Sequence, residues 1–181
     1  MRRFSLAILP IVFSVFAQTS QTEPDTIDIF YALPKDQSAA LVSLERQQTT
    51  FHAKASGFMV MGLKGFSEIT GKKSPVRFNA GEALEFIVRS AFAASAADPN
   101  TFYALRSLQI KKNTREIIFM TGHASPLGAS TKTDPSEGAI VLEFSKYATS
   151  SYKIKTPLLK LGEYALGRAT MPQVVFCFGV D

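Results

Sequence analysis

Leu159-Lys160-Leu161-Gly162-Glu163-Tyr164-Ala165-Leu166, followed by Val174-Val175-Phe176-Cys177-Phe178-Gly179-Val180, is the stretch on which the fold turns. In the second segment Val174, Phe176, Phe178 and Val180 fall on one side of an extended chain, because successive side chains of a strand point to opposite faces. In the first, a glycine-bearing turn leads into a strand whose early tyrosine is placed to bond back to upstream backbone. That is the pattern of a tyrosine corner, with Gly162 and Tyr164 as its structural residues. Both segments read as strands with one buried face, and the last is expected to be pinned in a sheet.

The same period of two runs outward from this stretch. Leu84 to Ser90 puts Leu84, Phe86 and Val88 on one face and Glu85 and Arg89 on the other, as in a sheet with one wet side. Phe102 to Ile110 and Arg115 to Thr121 form a hairpin over Lys111-Lys112-Asn113-Thr114. Arg106 interrupts the face carrying Phe102, Ala104, Leu108 and Ile110, and a bulge that re-aims it is expected. Ile140 to Phe144 and Tyr152 to Lys155 add further strands. Before Pro75, Ile27, Ile29, Tyr31 and Leu33 alternate, and Phe58 to Leu63 and Phe66 to Thr70 read as two short strands closed by the Gly71-Lys72-Lys73-Ser74-Pro75 turn. Residues 38–50 admit either a helical turn or a strand. The chain is therefore all-β. Residues 75–181 are expected to form an immunoglobulin- or fibronectin-III-like β-sandwich, and residues 27–74 a small N-terminal β-strand appendage.

The first residues carry a different signal. Arg2 and Arg3 precede the apolar run Phe4 to Phe16, and Val15-Phe16-Ala17 offers a small residue at a cleavage point, the layout of a secretory signal peptide over 1–17. A membrane span needs about 20 apolar residues, and this run is shorter and holds Pro10. No transmembrane anchor is expected in the mature chain, whose first residues, 18–26, read as flexible. Removing Arg2 and Arg3 lowers the net charge from +5 to +3. The basic pairs Lys72-Lys73 and Lys111-Lys112 sit beside turns and form no stripe, so no nucleic-acid partner is expected. Cys177 is the only cysteine, which excludes an intramolecular disulfide and leaves the fold to its core. Within its apolar run it reads as a small buried hydrophobe.

Tyr103-x-Leu105-x-x-Leu108, Arg115-Glu116, Gly122, Tyr152-x-Ile154, Leu161-Gly162-Glu163-Tyr164-x-Leu166 and Phe176-x-Phe178 together resemble a group of exported bacterial β-sandwich proteins of uncharacterised function. The resemblance covers residues 75 to 181. It implies export and a sandwich, and carries over neither an active site nor a ligand.

Signals for chemistry are sparse. His52 and His123 belong to no metal-binding spacing, so no metal or other cofactor is expected. Ser125 near His123 is the one arrangement that invites a hydrolase reading, without a Gly-x-Ser-x-Gly turn to support it. Asp134 and Glu137, with Asp98 and Asn100, supply too few oxygens for calcium. Tyr31, Tyr103 and Tyr147 are the side chains suited to stacking on a sugar. The polar run Gly122 to Gly138 reads as a long connection, and His123, Lys132 and Asp134 are its candidate ligand-binding residues. The reading that follows is an exported, non-catalytic module, periplasmic or extracellular, acting through an envelope or extracellular protein. The alternatives are a module binding glycan or another small envelope ligand, and a hydrolase.

Overall fold

A computed structural model describes residues 23–36, 40–56, 61–125, 128–133, 138–170 and 172–181. The expected signal peptide, 1–17, lies outside these residues. The strands in chain order are β1 (Phe30–Ala32), β2 (Val42–Ser43), β3 (Glu45–Gln48), β4 (Thr50–Ser56), β5 (Met61–Thr70), β6 (Arg77–Phe78) and β7 (Glu85–Arg89). After a single 3-10 turn, Pro99–Thr101, come β8 (Tyr103–Ile110), β9 (Thr114–Ser125), β10 (Gly128–Thr133) and β11 (Ala139–Ile140). The chain ends on β12 (Glu143–Ala148), β13 (Ser151–Lys155), β14 (Gly162–Arg168) and β15 (Val174–Val180). Among the described residues no helix is long and apolar enough to cross a membrane.

Two sheets face each other. One has the order β12-β13-β7-β1-β2, and the other contains β15-β14-β8, with β6 parallel to β15 and β11 antiparallel to β8. Between them lies an aromatic core. Phe30, Phe86, Val88, Tyr152 and Ile154 come from the first sheet, and Tyr103, Leu105, Tyr164, Leu166, Phe176 and Phe178 from the second. Each set occupies alternate positions of its strand, so the period of two in the sequence is this packing. Phe178 is the hub of the aromatic contacts, with ring centroids 5.1 Å from Phe86, 5.6 Å from Phe78 and 5.6 Å from Tyr164. The chain is an all-β sandwich. Ile87 is fully buried although it shares its face with Glu85 and Arg89, so that side of β7 is drier than its alternation suggests.

The second sheet continues past the sandwich. Its full order is β3-β15-β14-β8-β9-β5-β4, and β3 and β4 are one run of chain interrupted only at Thr49. The first half of that run pairs with β15 and the second with β5. The sheet thereby closes into a ring, with β8, β14 and β15 shared between ring and sandwich. Ile69, Leu108, Ile117, Phe119, Ala165, Val175 and Cys177 fill the ring interior. Residues 27–74 are thus no separate appendage. β1 pairs with β7 and β3 with β15, so strands before position 75 are woven into both layers.

Three local expectations also change. Of residues 38–50, positions 38 and 39 lie outside the described residues, and the rest hold two short strands around the buried Leu44, where the chain leaves one sheet for the other. Met61–Thr70 is one strand with an irregularity at Gly65/Phe66 instead of two strands. Arg106 sits in continuous register with Ala165, without a bulge. Its face, shared with Ala104 and Leu108, points into the ring, where its guanidinium lies 5.4 Å from the Phe119 ring centre and donates to the carbonyls of Arg168 and Ala169. A charged side chain interrupting an apolar face marks a second interior here. At the start of the described chain, Glu23 accepts hydrogen bonds from the Ser150 amide (2.7 Å) and hydroxyl (2.8 Å), which ties down part of a segment expected to be flexible.

Candidate functional site

The ring interior carries an ion network at one end. Arg115 is fully buried, and each of its five N–H groups has an acceptor. Nε donates to Gly71 O (3.0 Å), Nη1 to Glu45 Oε2 (3.0 Å) and Glu163 Oε2 (3.3 Å), and Nη2 to Glu45 Oε1 (3.2 Å) and Thr70 O (3.1 Å). Glu163 also accepts from the Ser74 amide (2.8 Å) and from Arg77, which in turn grips Asp181. Burial works against the Arg115 charge, but Glu45 and Glu163 outweigh it and hold the guanidinium protonated. Burial likewise raises Glu45, yet hydrogen bonds from Arg115, Gln47 and Ser74 bring it below the ordinary glutamate value. Every charge is answered, so the network reads as structure. Cys177 shares this interior; burial pushes its thiol up to about 12, and it stays an unreactive apolar group.

A different chemistry occupies the flank of the sandwich. There a cleft of about 510 Å³ opens between the segment leading into β1, the turn between β14 and β15, and β3. Its floor is aromatic: Phe30 and Tyr103 meet edge to face at 5.5 Å, and Phe30 and Phe176 at 5.4 Å. Ile27 and Ile29 line one wall, and Thr170, Gln173 and Val174 another. The ionisable groups of the lining are Asp28, Arg46, Tyr103 and Arg168.

Backbone geometry places these groups. Asp28 takes a positive φ of 59°, a conformation that aspartate tolerates better than most residues. Its amide donates to Arg89 O (2.8 Å), which locks the turn in front of β1. Its carboxylate accepts from the Tyr103 hydroxyl and from Arg168 Nη2. Tyr103 and Arg168 are register partners on β8 and β14, and the Tyr103 hydroxyl is also bonded to Ser90 Oγ (2.7 Å). Burial first, and then the Asp28 carboxylate, raise the Tyr103 hydroxyl above the ordinary phenol range. It is held as a neutral donor. Arg168 lies over the faces of Phe92 (4.7 Å) and Tyr103 (5.7 Å), and Phe92 stacks on Phe102 at 4.2 Å.

Arg46 completes the rim. It pairs in register with Phe176, which puts it on the sandwich face of the ring strand β3, and it is solvent-exposed. Among the described residues no salt bridge neutralises it. Arg168 balances Asp28, so the cleft carries one surplus positive charge over an aromatic floor. Another cleft, about 500 Å³ beside Leu33, Phe78 and Leu84, has Lys35 paired with Glu82 and Arg77 with Glu163 and Asp181, and the exposed Lys155 is its cation without a salt bridge among the described residues.

The residues singled out from the sequence lie elsewhere. His123 is on β9, opposite Gly62 of β5 and Ser130 of β10, and Lys132 is on β10, opposite Thr121. The run read as a long connection is therefore partly a hairpin, because Gly128–Thr133 pairs along the end of β9. Register puts positions 54, 64, 121 and 132 in one cross-strand row. Asp134 lies outside the described residues, as does Glu137. Ser125 ends β9, two positions from His123, and His52 stacks on Phe66 at 5.4 Å. Asp98 caps the 3-10 turn by accepting from the Asn100 amide (2.9 Å), and the Asn100 side chain clips the Leu142 backbone. No cluster of three metal-ligating side chains occurs among the described residues. Of the tyrosines suited to stacking, Tyr103 is buried in the cleft floor, while Tyr31 and Tyr147 are half-buried. Gly162 opens β14, and the Tyr164 hydroxyl donates to Lys160 O at 2.7 Å, four residues upstream.

Sequence reasoning passed over Asp28, Arg46 and Arg168. Asp28 interrupts the Ile27, Ile29 alternation at the mouth of a strand, which is a signal; nothing local links it to Arg168, 140 residues away. No family model matches this sequence, and no curated protein matches it.

Proposed function

We propose that this protein is an exported, non-catalytic module of immunoglobulin-like topology that works by contact with an envelope or extracellular protein, and that the flank cleft is where contact is made. The order β12-β13-β7-β1 against β15-β14-β8 supports the topology, since constant-type immunoglobulin domains set four strands against three in this sequence order. The leader-like residues 1–17 support export. The observation that carries the contact reading is Arg46, an exposed and unneutralised guanidinium at the rim of an aromatic-floored cleft. Arginine and aromatic groups dominate the energetics of protein contacts. Arg168, held over two aromatic faces by Asp28, supplies a second guanidinium that needs no reordering on binding.

Capture from envelope and culture-medium fractions tests this, using mature protein tagged at its N-terminus beside an Arg46→Glu variant. One dominant protein retained by the wild type and lost by the variant is the expected result. Equal retention by both, or none by the wild type, overturns the reading.

A further inference from the structure

We infer that the flank cleft receives an acidic peptide segment, with a glutamate or aspartate carboxylate at Arg46 and a neighbouring apolar side chain against Ile27, Ile29 and Val174, above the buried rings of Phe30, Tyr103 and Phe176. This deepens the contact reading and rests on it for the source of the peptide.

Charge sets the sign. Arg46 and Arg168 face one acid, Asp28, whose carboxylate is already taken by Tyr103 and Arg168. An incoming anion therefore meets a net positive rim, and among the described lining residues a cation meets no carboxylate that is not already engaged. Guanidinium groups present paired donors that match a carboxylate, and such charge-assisted bonds are the strong class. The shape sets the rest. A cleft of about 510 Å³ has room for a large apolar side chain beside the carboxylate, and the exposed Ile27 with the half-buried Ile29 and Val174 gives that side chain apolar surface to cover. The positive φ of Asp28 adds an independent mark. Residues held in sparsely populated conformations persist where the surrounding structure over-determines them, and they concentrate at ligand clamps. Here the strained residue is the one that positions Arg168.

The probes are acetyl-Ile-Glu-Phe-Gly-amide, its Ile-Gln-Phe counterpart, and laurate as a carboxylate on a lipid chain. Binding is followed by NMR on the full mature protein through the Arg46 and Arg168 side-chain Nε–H signals and the Thr170 and Gln173 amides. The Glu peptide is expected to shift these signals saturably and to bind at least about tenfold tighter than the Gln peptide. Arg46→Gln should lose about the same factor for the Glu peptide and erase the discrimination. Because Arg46 is exposed, the variant is expected to keep the wild-type thermal midpoint, and Arg46→Lys should recover part of the affinity. Equal affinity for the two peptides, absence of binding, shifts confined to another surface, or binding of laurate alone overturns the inference. If the Glu peptide binds as described while no envelope protein is captured, the contact reading fails and the cleft chemistry stands.

Discussion

Strands β14 and β15, and β8 over its first half, are buried on both faces, and the two faces are built from different materials. Toward the sandwich they present Tyr103, Leu105, Tyr164, Leu166, Phe176 and Phe178, a continuous aromatic and aliphatic layer. Toward the ring they present mostly small residues, Ala104, Ala165, Gly167, Cys177 and Gly179, with Leu108 and Val175 and the charges Arg106 and Glu163. The ring interior is completed by bulk from β5 and β9, Ile69, Ile117 and Phe119, and by two buried guanidinium groups: Arg115, which is salt-bridged, and Arg106, which donates to backbone carbonyls. Aromatic packing tolerates local change by relaxing around a void, at a cost that depends on how far the site collapses. An ion network has no such freedom, because removing one partner strands the others. The two cores of this protein should therefore fail in different ways.

The sharpest way to break the comparison is Arg115→Met. Glu45 and Glu163 lose their common partner, Thr70 and Gly71 lose theirs, and the expected loss of unfolding free energy is about 3–5 kcal/mol. Phe178→Ala, across the sheet, is expected to fall in the same range of about 3–5 kcal/mol, for loss of buried area plus cavity. Urea unfolding at pH 7 and again at pH 4 separates them. The Arg115→Met loss should shrink as the stranded Glu45 carboxylate protonates, and the Phe178→Ala loss should not. If both losses are independent of pH, the two interiors are energetically alike and the contrast fails.

Gly179→Ala tests the same network through space instead of charge. A Cβ built on Gly179 would lie 1.6 Å from Arg77 Nη1 and 2.0 Å from its Cζ, so the guanidinium must leave its place. Arg77 then gives up Glu163, while Glu163 keeps Arg115 and the Ser74 amide. The bond to the buried Glu163 is lost, worth about 1.5–3 kcal/mol, and the two bonds to the exposed Asp181 that go with it add little. Arg77→Ala should produce the same loss, and the double variant little more. A double variant whose effect equals the sum of the singles would show that the methyl group acts elsewhere, on β15 itself.

A smaller effect concerns acid. Glu45 is held below its ordinary value of 4.5 by the bonds from Arg115, Gln47 and Ser74, which overcome the opposing effect of burial. A group depressed on folding stabilises the folded state above its unfolded pKa and loses that contribution as pH falls through the folded pKa. Thermal midpoints should thus be flat near neutrality and decline from about the ordinary glutamate range downward, and Glu45→Gln should flatten that decline while lowering the plateau. A Glu45→Gln curve parallel to wild type throughout would place the acid sensitivity in other carboxylates.

How much of this was legible in the residues follows from the two faces. Leu84-Phe86-Val88, Tyr164-Leu166 and Val174-Phe176-Phe178-Val180 announced the sandwich layer, because a period of two with one apolar phase is local information. The opposite phase was misleading. Glu85, Glu163 and Arg106 look alike on paper, but Glu163 is buried against Arg115, 48 residues away, while Glu85 remains half-exposed. Alternation identifies two faces without saying whether the polar one meets water or a paired charge. The ring was hidden for a related reason: its closure depends on one strand run, Glu45–Ser56, that changes neighbours at Thr49, and the mixed spacing of 38–50 reflects that switch. The cleft was harder still. His123, Lys132 and Asp134 drew notice because they sit in a Gly- and Ser-rich run, whereas Asp28, Arg46 and Arg168 come from a turn and two strands distant in sequence and meet only through topology.

The smallest expected effect is the one most visible in the sequence. Tyr164→Phe removes a hydroxyl and leaves the ring stacked 5.6 Å from Phe178, so the sandwich layer is preserved. The loss is the bond to Lys160 O, which fixes the turn entering β14, and a single neutral hydrogen bond is worth about 0.5–1.5 kcal/mol. Gly162 lies 3.8 Å from the same ring at its would-be Cβ, an ordinary contact, but its φ of +157° borders the region where a side chain strains the backbone. Tyr164→Phe should accordingly lower the denaturation midpoint slightly while leaving the dependence on denaturant concentration unchanged, since no additional surface is exposed in either state. A loss above about 3 kcal/mol would mean that the hydroxyl holds more than its turn. The sandwich layer would then share the all-or-nothing character assigned to the ion network on the other face of the same strands.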